Sequence, residues 1–125
     1  MIDYELTDET VEVCEHILHR IRALKDINGH VHAGDLGGFV ESTENLDASH
    51  GAWVSDNACV YGSARVYDSA WVFDRARVYG DALVYGNARV EGHAEVCGSA
   101  TIHGTDHIRG TARIDGDVEV CEGES

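Results

Sequence analysis

Aliphatic residues recur at every sixth position through the second half of the chain. The twelve positions are Val54, Val60, Val66, Val72, Val78, Val84, Val90, Val96, Ile102, Ile108, Ile114 and Val120. Alanine stands two places before them, nine times in succession from Ala52 to Ala100, and glycine or aspartate mostly stands two places after. A period of six fits neither an α-helix nor a simple alternating strand. It predicts a short strand with an inward aliphatic residue, followed by a corner that uses the left-handed backbone tolerated by glycine and aspartate.

Outward positions repeat with a longer period of eighteen. Aromatic residues lie eighteen apart in three pairs, namely Trp53 and Trp71, Tyr61 and Tyr79, and Tyr67 and Tyr85. Three units would close a triangular coil of eighteen residues, and coils would stack at roughly 4.8 Å, so that like side chains touch. We therefore predict an all-β, single-domain parallel β-helix of about four 18-residue coils over residues 48–125.

The same register makes three finer predictions. It stacks Arg77, Glu95 and Arg113 in one column of alternating charge. It also brings Arg89 beside Trp71 for a cation–π contact. Asp106 interrupts the alanine series at an inward position, where an unpaired carboxylate would be costly. We expect the corner at residues 104–106 to bulge outward, or Asp106 to accept hydrogen bonds from backbone N–H groups.

Residues 1–47 do not repeat and are predicted to form an N-terminal capping segment. Alternation at residues 10–13 and 17–23 favours a β-hairpin that turns near Glu15–His16, although residues 7–24 also fit a helical stripe. A solenoid needs a cap because its end would otherwise expose core and unpaired backbone. Capping is therefore the expected role of this segment.

The repeats, together with three upstream strings, carry a family resemblance. The strings are Leu18–Asp26, Ala33–Glu41 and Asn45–Leu46. With them the chain resembles the hexapeptide-repeat family of left-handed β-helices, and it is similar to short YdcK-like proteins of bacteria and phages. The resemblance implies left-handed winding. The best-known family members are acyltransferases, commonly trimers with acyl-donor sites between helices, a catalytic histidine and often a protruding loop.

Charge and cysteine use indicate the class of partner and the compartment. Asp and Glu number 23 against 9 Lys and Arg, a formal net charge of −14. Such a chain repels nucleic acid and anionic membranes and attracts basic surfaces; the alternative is that the acid serves solubility alone. No signal peptide or membrane span is recognisable, so a cytoplasmic protein is expected. The four cysteines form no CxxC pair and are interpreted as reduced thiols (Cys14, Cys59, Cys97 and Cys121).

Catalytic chemistry has little support in the sequence. The repeats between Val54 and Val120 contain no inserted loop to enclose a substrate. His93, His103 and His107 fall at corners or outer faces, where an ordinary surface histidine is the commoner case. No catalytic residue and no cofactor are predicted.

Metal and phosphate sites are also not predicted. His30 and His32 with Asp35, or His16 with His19, could converge on a metal, but histidines of turns and strands are far commoner. The glycines of residues 34–38 lack the order of a phosphate-binding loop. Cys59 and Cys97 would share a face two coils apart, too far for a disulfide.

The outward aromatic residues are the predicted binding site. They are Trp53, Trp71, Phe73, Tyr61, Tyr79, Tyr67 and Tyr85. The N-terminal segment could cover them, or they could form a self-association or partner surface. The first functional hypothesis is a non-catalytic, acidic, homo-oligomeric protein that binds a basic protein, such as a nucleic-acid-binding or defence protein that a phage inhibits. The alternatives are an acyltransferase or small-ligand binder at an inter-subunit groove, and a purely structural component.

Overall fold

Short strands and one 3₁₀ helix make up the described chain, residues 3–114 and 119–120 of a computed structural model. The N-terminal part contains β1 (Tyr4–Val13), β2 (His16–Ala23), β3 (Leu36–Val40) and the 3₁₀ helix (Thr43–Asn45). The repeats contain β4 (Trp53–Val54), β5 (Cys59–Val60), β6 (Arg65–Val66), β7 (Trp71–Val72), β8 (Arg77–Val78), β9 (Leu83–Val84), β10 (Arg89–Val90), β11 (Glu95–Val96), β12 (Thr101–Ile102), β13 (His107–Ile108), β14 (Arg113–Ile114) and β15 (Glu119–Val120).

Each repeat strand pairs with the strand three repeats later, so the repeat strands form three parallel faces. Face 1 contains β3, β5, β8, β11 and β14; face 2 contains β4, β7, β10 and β13; face 3 contains β6, β9, β12 and β15. Pairing advances by eighteen residues, as where Trp53 pairs with Trp71 and Val54 with Val72. The prediction of an all-β parallel solenoid with about four 18-residue coils is confirmed.

Small aliphatic side chains fill the interior. Each inward aliphatic residue from Val54 to Ile108 and each inward alanine from Ala52 to Ala100 is fully buried. Burial of one valine contributes on the order of 1.5 kcal/mol or more, so the repeats supply a continuous core. Backbone bonds join adjacent coils on every face.

Each repeat corner from Asp56 to Gly110 uses a left-handed backbone residue, in most repeats glycine. Asp56, Asp68 and Asp74 adopt φ of 58°, 59° and 62° at the corners of the first coils. Their carboxylates each accept a hydrogen bond from a backbone N–H of the next coil, at 3.1–3.2 Å. Aspartate therefore serves two structural purposes at these corners, since it tolerates positive φ and satisfies a backbone donor.

The first coil is longer than the others. Val40 pairs with Val60 and Leu46 bridges to Val66, which are steps of twenty residues. Asn45, which is 1% exposed, holds this irregular coil in place. The oxygen of its side-chain amide accepts hydrogen bonds from two backbone N–H groups, three and four residues earlier in the chain. The nitrogen of the same amide donates to two backbone carbonyls of the next coil. The solenoid pairing thus begins inside the segment that the sequence assigned to the cap.

A β-hairpin extends face 1 at its N-terminal edge. β1 and β2 are antiparallel, β2 pairs antiparallel with β3, and the resulting sheet has seven strands in the described chain. The hairpin turns at Cys14 and Glu15, one residue before the predicted position, and the helical alternative for residues 7–24 is wrong. Tyr4 and Ile21 join the solenoid core, so the hairpin lies over the first coil.

Asp106 is buried and keeps the coil register. It is 1% exposed, and its Oδ2 accepts a hydrogen bond from the His103 backbone N–H at 3.2 Å. Its own backbone carbonyl accepts from the Arg89 N–H at 2.9 Å, so the corner does not bulge outward. The alternative in which Asp106 bonds a backbone N–H is confirmed. Its Oδ1 is buried without a hydrogen-bond partner within the described chain.

We expect Asp106→Ala to raise the free energy of unfolding by about 1 kcal/mol. The variant removes a buried oxygen that lacks a partner and restores the residue found at Ala88, one coil earlier. Urea unfolding measures the change, and Asp106→Asn separates the loss of charge from the loss of shape. A clear loss of stability in the alanine variant would show that the bond to His103 outweighs the cost of burial.

Substitution of Gly80 tests how tightly the corners stack. A Cβ at Gly80 would lie 2.9 Å from the Gly98 backbone N, and the φ of Gly80 is +71°. We expect Gly80→Ala to cost roughly 2–4 kcal/mol, from left-handed strain and from displacement of the next coil. Gly34→Ala is the control, because Gly34 has φ +93° but nothing within 4 Å. It should lose only about 1 kcal/mol, and equal losses in thermal unfolding would contradict the steric argument.

Candidate binding surface

Stacked aromatic rings run along two faces. Tyr61 and Tyr79 on face 1 have ring centroids 5.0 Å apart and planes inclined by 5°. Tyr67 and Tyr85 on face 3 are 4.9 Å apart and inclined by 9°. The eighteen-residue period of the outward aromatics therefore places like rings face to face on adjacent coils.

Two of the predicted binding residues are covered by the N-terminal segment. Trp53 is 1% exposed and meets Tyr4 edge to face at 6.1 Å. Tyr61 is 4% exposed and is overlain by the His16 ring at 5.0 Å. For these two residues the alternative of coverage by the N-terminal segment is the one observed, and their rings are not available as surface contacts.

The other aromatics of face 2 remain partly exposed. Trp71 and Phe73 have ring centroids 5.2 Å apart. The Trp71 ring stacks on the His30 ring, with centroids 5.7 Å apart. The Arg89 Cζ atom lies over the Trp71 ring, 5.8 Å from its centroid, so the predicted cation–π contact is present. Trp71 Nε1 donates to Ser55 Oγ at 3.0 Å. With these partners in place, Trp71 is already engaged within the chain.

The aromatic column of face 3 begins at a carboxylate. Tyr67, Tyr85 and His103 form a continuous stack, with His103 5.5 Å from Tyr85. The Asp47 backbone N–H donates to the Val66 carbonyl at 2.9 Å, which places Asp47 one coil before Tyr67 in this column. The stack therefore has one end that faces the N-terminal part of the molecule.

A cleft of about 680 Å³ lies at this end of face 3. It is lined by Asp3, Tyr4, Thr43, Glu44, Leu46, Asp47, Ala48, Arg65, Val66, Tyr67 and Leu83. Its lining combines three carboxylates, one guanidinium, apolar side chains and the Tyr67 ring. Sequence reasoning missed the cleft, because half of its lining comes from the irregular first coil.

Hydrogen bonds fix the polar groups of the cleft. Asp47 Oδ1 accepts from the Ser49 hydroxyl at 2.7 Å and from the Ser49 N–H at 3.0 Å, and these bonds hold the pKa of Asp47 below its usual value. Tyr4 Oη donates to the Leu46 carbonyl at 2.6 Å, and burial raises the pKa of Tyr4. Lys25 pairs with Asp3 at 2.9 Å. At neutral pH, the Asp47 side chain is thus a carboxylate held in position by Ser49, beside the uncharged Tyr4 hydroxyl.

Two sequence stretches of the repeats, residues 52–68 and 76–92, match the family described as YdcK Beta solenoid repeat. The chain is a β-solenoid repeat protein. No curated protein matches it. In the described part of this β-solenoid, no helix is long and apolar enough to cross a membrane.

The N-terminal hairpin of the β-solenoid carries several exposed carboxylates. Glu5 pairs with Arg22, and Glu9 pairs with Arg20. Three further carboxylates have no ion pair among the described residues, and all three are exposed (Asp8, Glu12 and Glu15). These side chains have no structural purpose of the kind that the corner aspartates have.

The histidines of the repeats serve as ordinary partners in the described contacts. His107 bonds Glu91, and His103 belongs to the aromatic stack of face 3. His93 is exposed at a corner beside Arg75. None of the three lines the cleft.

The candidate metal ligands do not converge on one site, although His32 Nδ1 lies 3.9 Å from Asp35 Oδ2. His30 stacks on Trp71, and His16 bonds Glu41 at 2.9 Å. His19 bonds the Thr7 carbonyl at 3.2 Å. Within the described residues no group of three histidine, cysteine or acidic side chains is arranged to hold a metal ion. The described cysteines are free thiols (Cys14, Cys59 and Cys97), while Cys121 lies outside the described residues.

Charged and hydroxyl groups of face 1 interact along the coils. Glu95 lies 3.7 Å from Arg113 and pairs in register with Arg77, so the predicted charged column is present. Tyr79 Oη donates to Glu95 at 3.3 Å. Burial, together with a hydrogen bond to Cys97, raises the pKa of Tyr79 to about 12.

Tyr79 should make stability fall with pH in the alkaline range. Its pKa is 10.0 when unfolded and about 12 when folded, so its contribution is complete below pH 10 and is lost as pH rises to 12. Tyr79→Phe removes the group and should reduce the slope of unfolding free energy against pH in this window. Urea unfolding at pH 8, 10, 11 and 12 measures the slope, and a slope equal to that of the unaltered protein would contradict the assignment.

Proposed function

We propose that this β-solenoid is a non-catalytic interaction protein whose acidic N-terminal end binds a protein partner with a basic surface. The observation that carries the proposal is the set of exposed hairpin carboxylates without an ion pair in the described chain, namely Asp8, Glu12 and Glu15. Carboxylates left free in this way raise the local negative potential and attract a basic surface.

A comparison of the hairpin carboxylates with the corner aspartates supports this proposal. Asp56, Asp68 and Asp74 are explained by backbone geometry and by their bonds to the next coil. The acid of the hairpin has no such explanation. On the coils Asp81 is also an exposed carboxylate without an ion pair in the described chain, but the hairpin gathers three such carboxylates in one pair of strands.

The open edge of β1 offers a basic partner a second kind of contact at the N-terminal hairpin. β1 is the terminal strand of the seven-stranded sheet, and it carries Glu5, Asp8, Glu9 and Glu12. Val11 and Ile17 are 38% and 51% exposed in the same hairpin. An extended basic segment could pair with such an edge by main-chain hydrogen bonds while its cations meet the carboxylates.

The proposal also covers the handedness of the coils, the oligomeric state, the compartment and the origin of the protein. The coils wind left-handed, residues 1–47 act as the cap, and the chain forms a homo-oligomer through its remaining exposed aromatics. Free thiols support a reducing compartment, the cytoplasm. The YdcK-like resemblance drawn from the sequence supports a phage-derived inhibitor of a host nucleic-acid-binding or defence protein, with carboxylates in place of phosphates. The acyltransferase alternative has less support, since a cleft with three carboxylates disfavours anionic acyl-CoA.

An affinity pull-down from bacterial lysate tests the proposed function. The full chain should retain a basic protein at about 0.1 M salt and release it near 1 M, because the screening length shortens from about 10 Å to about 3 Å. Glu12→Lys should abolish retention. Asp81→Lys makes the same charge change at an exposed corner of another part of the molecule and should retain the partner. A partner that resists salt, or that both variants lose equally, would overturn the electrostatic mechanism.

A further inference from the structure

We infer that the cleft at the N-terminal end of face 3 binds the guanidinium of an arginine side chain supplied by the protein partner. This inference rests on the proposed function and names the contact that would anchor the partner. None of Asp8, Glu12 and Glu15 lines the cleft, whose lining comes from the first coil, from face 3 and from the start of β1.

The geometry of the aromatic column points to a planar occupant. Tyr67 stacks on Tyr85 at 4.9 Å with nearly parallel rings, and Tyr85 stacks in turn on His103. One face of Tyr67 is therefore covered by the next coil. Its other side is turned toward the preceding coil, where the column holds Asp47 instead of a ring. A planar group inserted there would continue the stack by one step.

The charges of the cleft select a cation. Asp3, Glu44 and Asp47 line it against a single described cation, Arg65. Lys25 neutralises Asp3, which leaves two carboxylates against Arg65. Asp47 is held in position by Ser49 through Oδ1, so its other oxygen can accept from a ligand.

Arginine fits both requirements, whereas lysine fits only one. A guanidinium is planar, stacks on an aromatic face and donates in its own plane to carboxylates. An ammonium is a compact, strongly hydrated charge without a stacking plane. The apolar lining from Leu46 and Leu83 can pack against the methylene groups of the arginine side chain.

The probe is a blocked Gly-Arg-Gly peptide titrated into the isotopically labelled full chain and followed by NMR. We expect amide shifts to concentrate at Leu46, Asp47, Tyr67 and Leu83. The matching citrulline peptide, which has the same shape without charge, should bind at least about ten-fold more weakly. A lysine peptide should also bind more weakly. Equal binding by either peptide, or shifts confined to the hairpin, would overturn the inference.

Matched variants separate the cleft from the general negative charge of the chain. Asp47→Asn should weaken arginine-peptide binding about ten-fold, whereas Asp81→Asn, with the same loss of charge, should have little effect. Tyr67→Leu should weaken binding while Tyr67→Phe keeps it, because the ring and not the hydroxyl forms the contact. Equal effects within either pair would overturn the inference, and thermal unfolding checks that each variant is folded.

The two proposals fail in different ways. If the partner captured from lysate is lost with Glu12→Lys but retained by Asp47→Asn, the acidic interaction stands and the arginine site is overturned as its anchor. If the arginine peptide binds in the cleft but no basic protein is captured, the site stands as a guanidinium site and the proposed function fails.

Discussion

The pairing of each coil with the next at a fixed step of eighteen residues is the constraint on which the rest of the structure depends. It places valine on valine and alanine on alanine, so a core of small side chains becomes continuous. It also brings corner backbones so close that a Cβ at Gly80 would meet the next corner at 2.9 Å. Because pairing repeats the same contact on every coil, one local rule determines core, corners and surface columns together.

A repeating contact has no partner at the ends of the stack, and the N-terminal end is where the sequence departs from the rule. The hairpin continues the sheet of face 1 and buries Trp53 and Tyr61. On face 3 the twenty-residue first coil, held by Asn45, places Asp47 where an aromatic ring would otherwise follow. One end of the solenoid is thus partly covered by the hairpin and partly open at the cleft.

The periods of six and eighteen were sufficient to predict the three-faced coil, because both arise from contacts between residues at constant separation. Sequence reasoning could not determine which outward rings are exposed, since Trp53 is covered by Tyr4, which lies outside any repeat. The roles of Asn45 and Asp47 were equally hidden, because they depend on a coil that is two residues longer than the rest. The Asp106 corner was predicted only as a pair of alternatives, and its carboxylate bonds the backbone while remaining inward.

Two groups of acidic residues in the described chain differ in what the fold requires of them. Aspartates at the corners are required by a left-handed backbone and an unsatisfied N–H, so their charge is incidental to the fold. The hairpin carboxylates Asp8, Glu12 and Glu15 have neither of these purposes among the described contacts, and keeping several like charges near one another costs stability. At the end of the solenoid this repulsion acts on few contacts between coils, so a stable stack tolerates it. The proposed basic partner would give these three hairpin carboxylates a role that the folding of the coils does not supply.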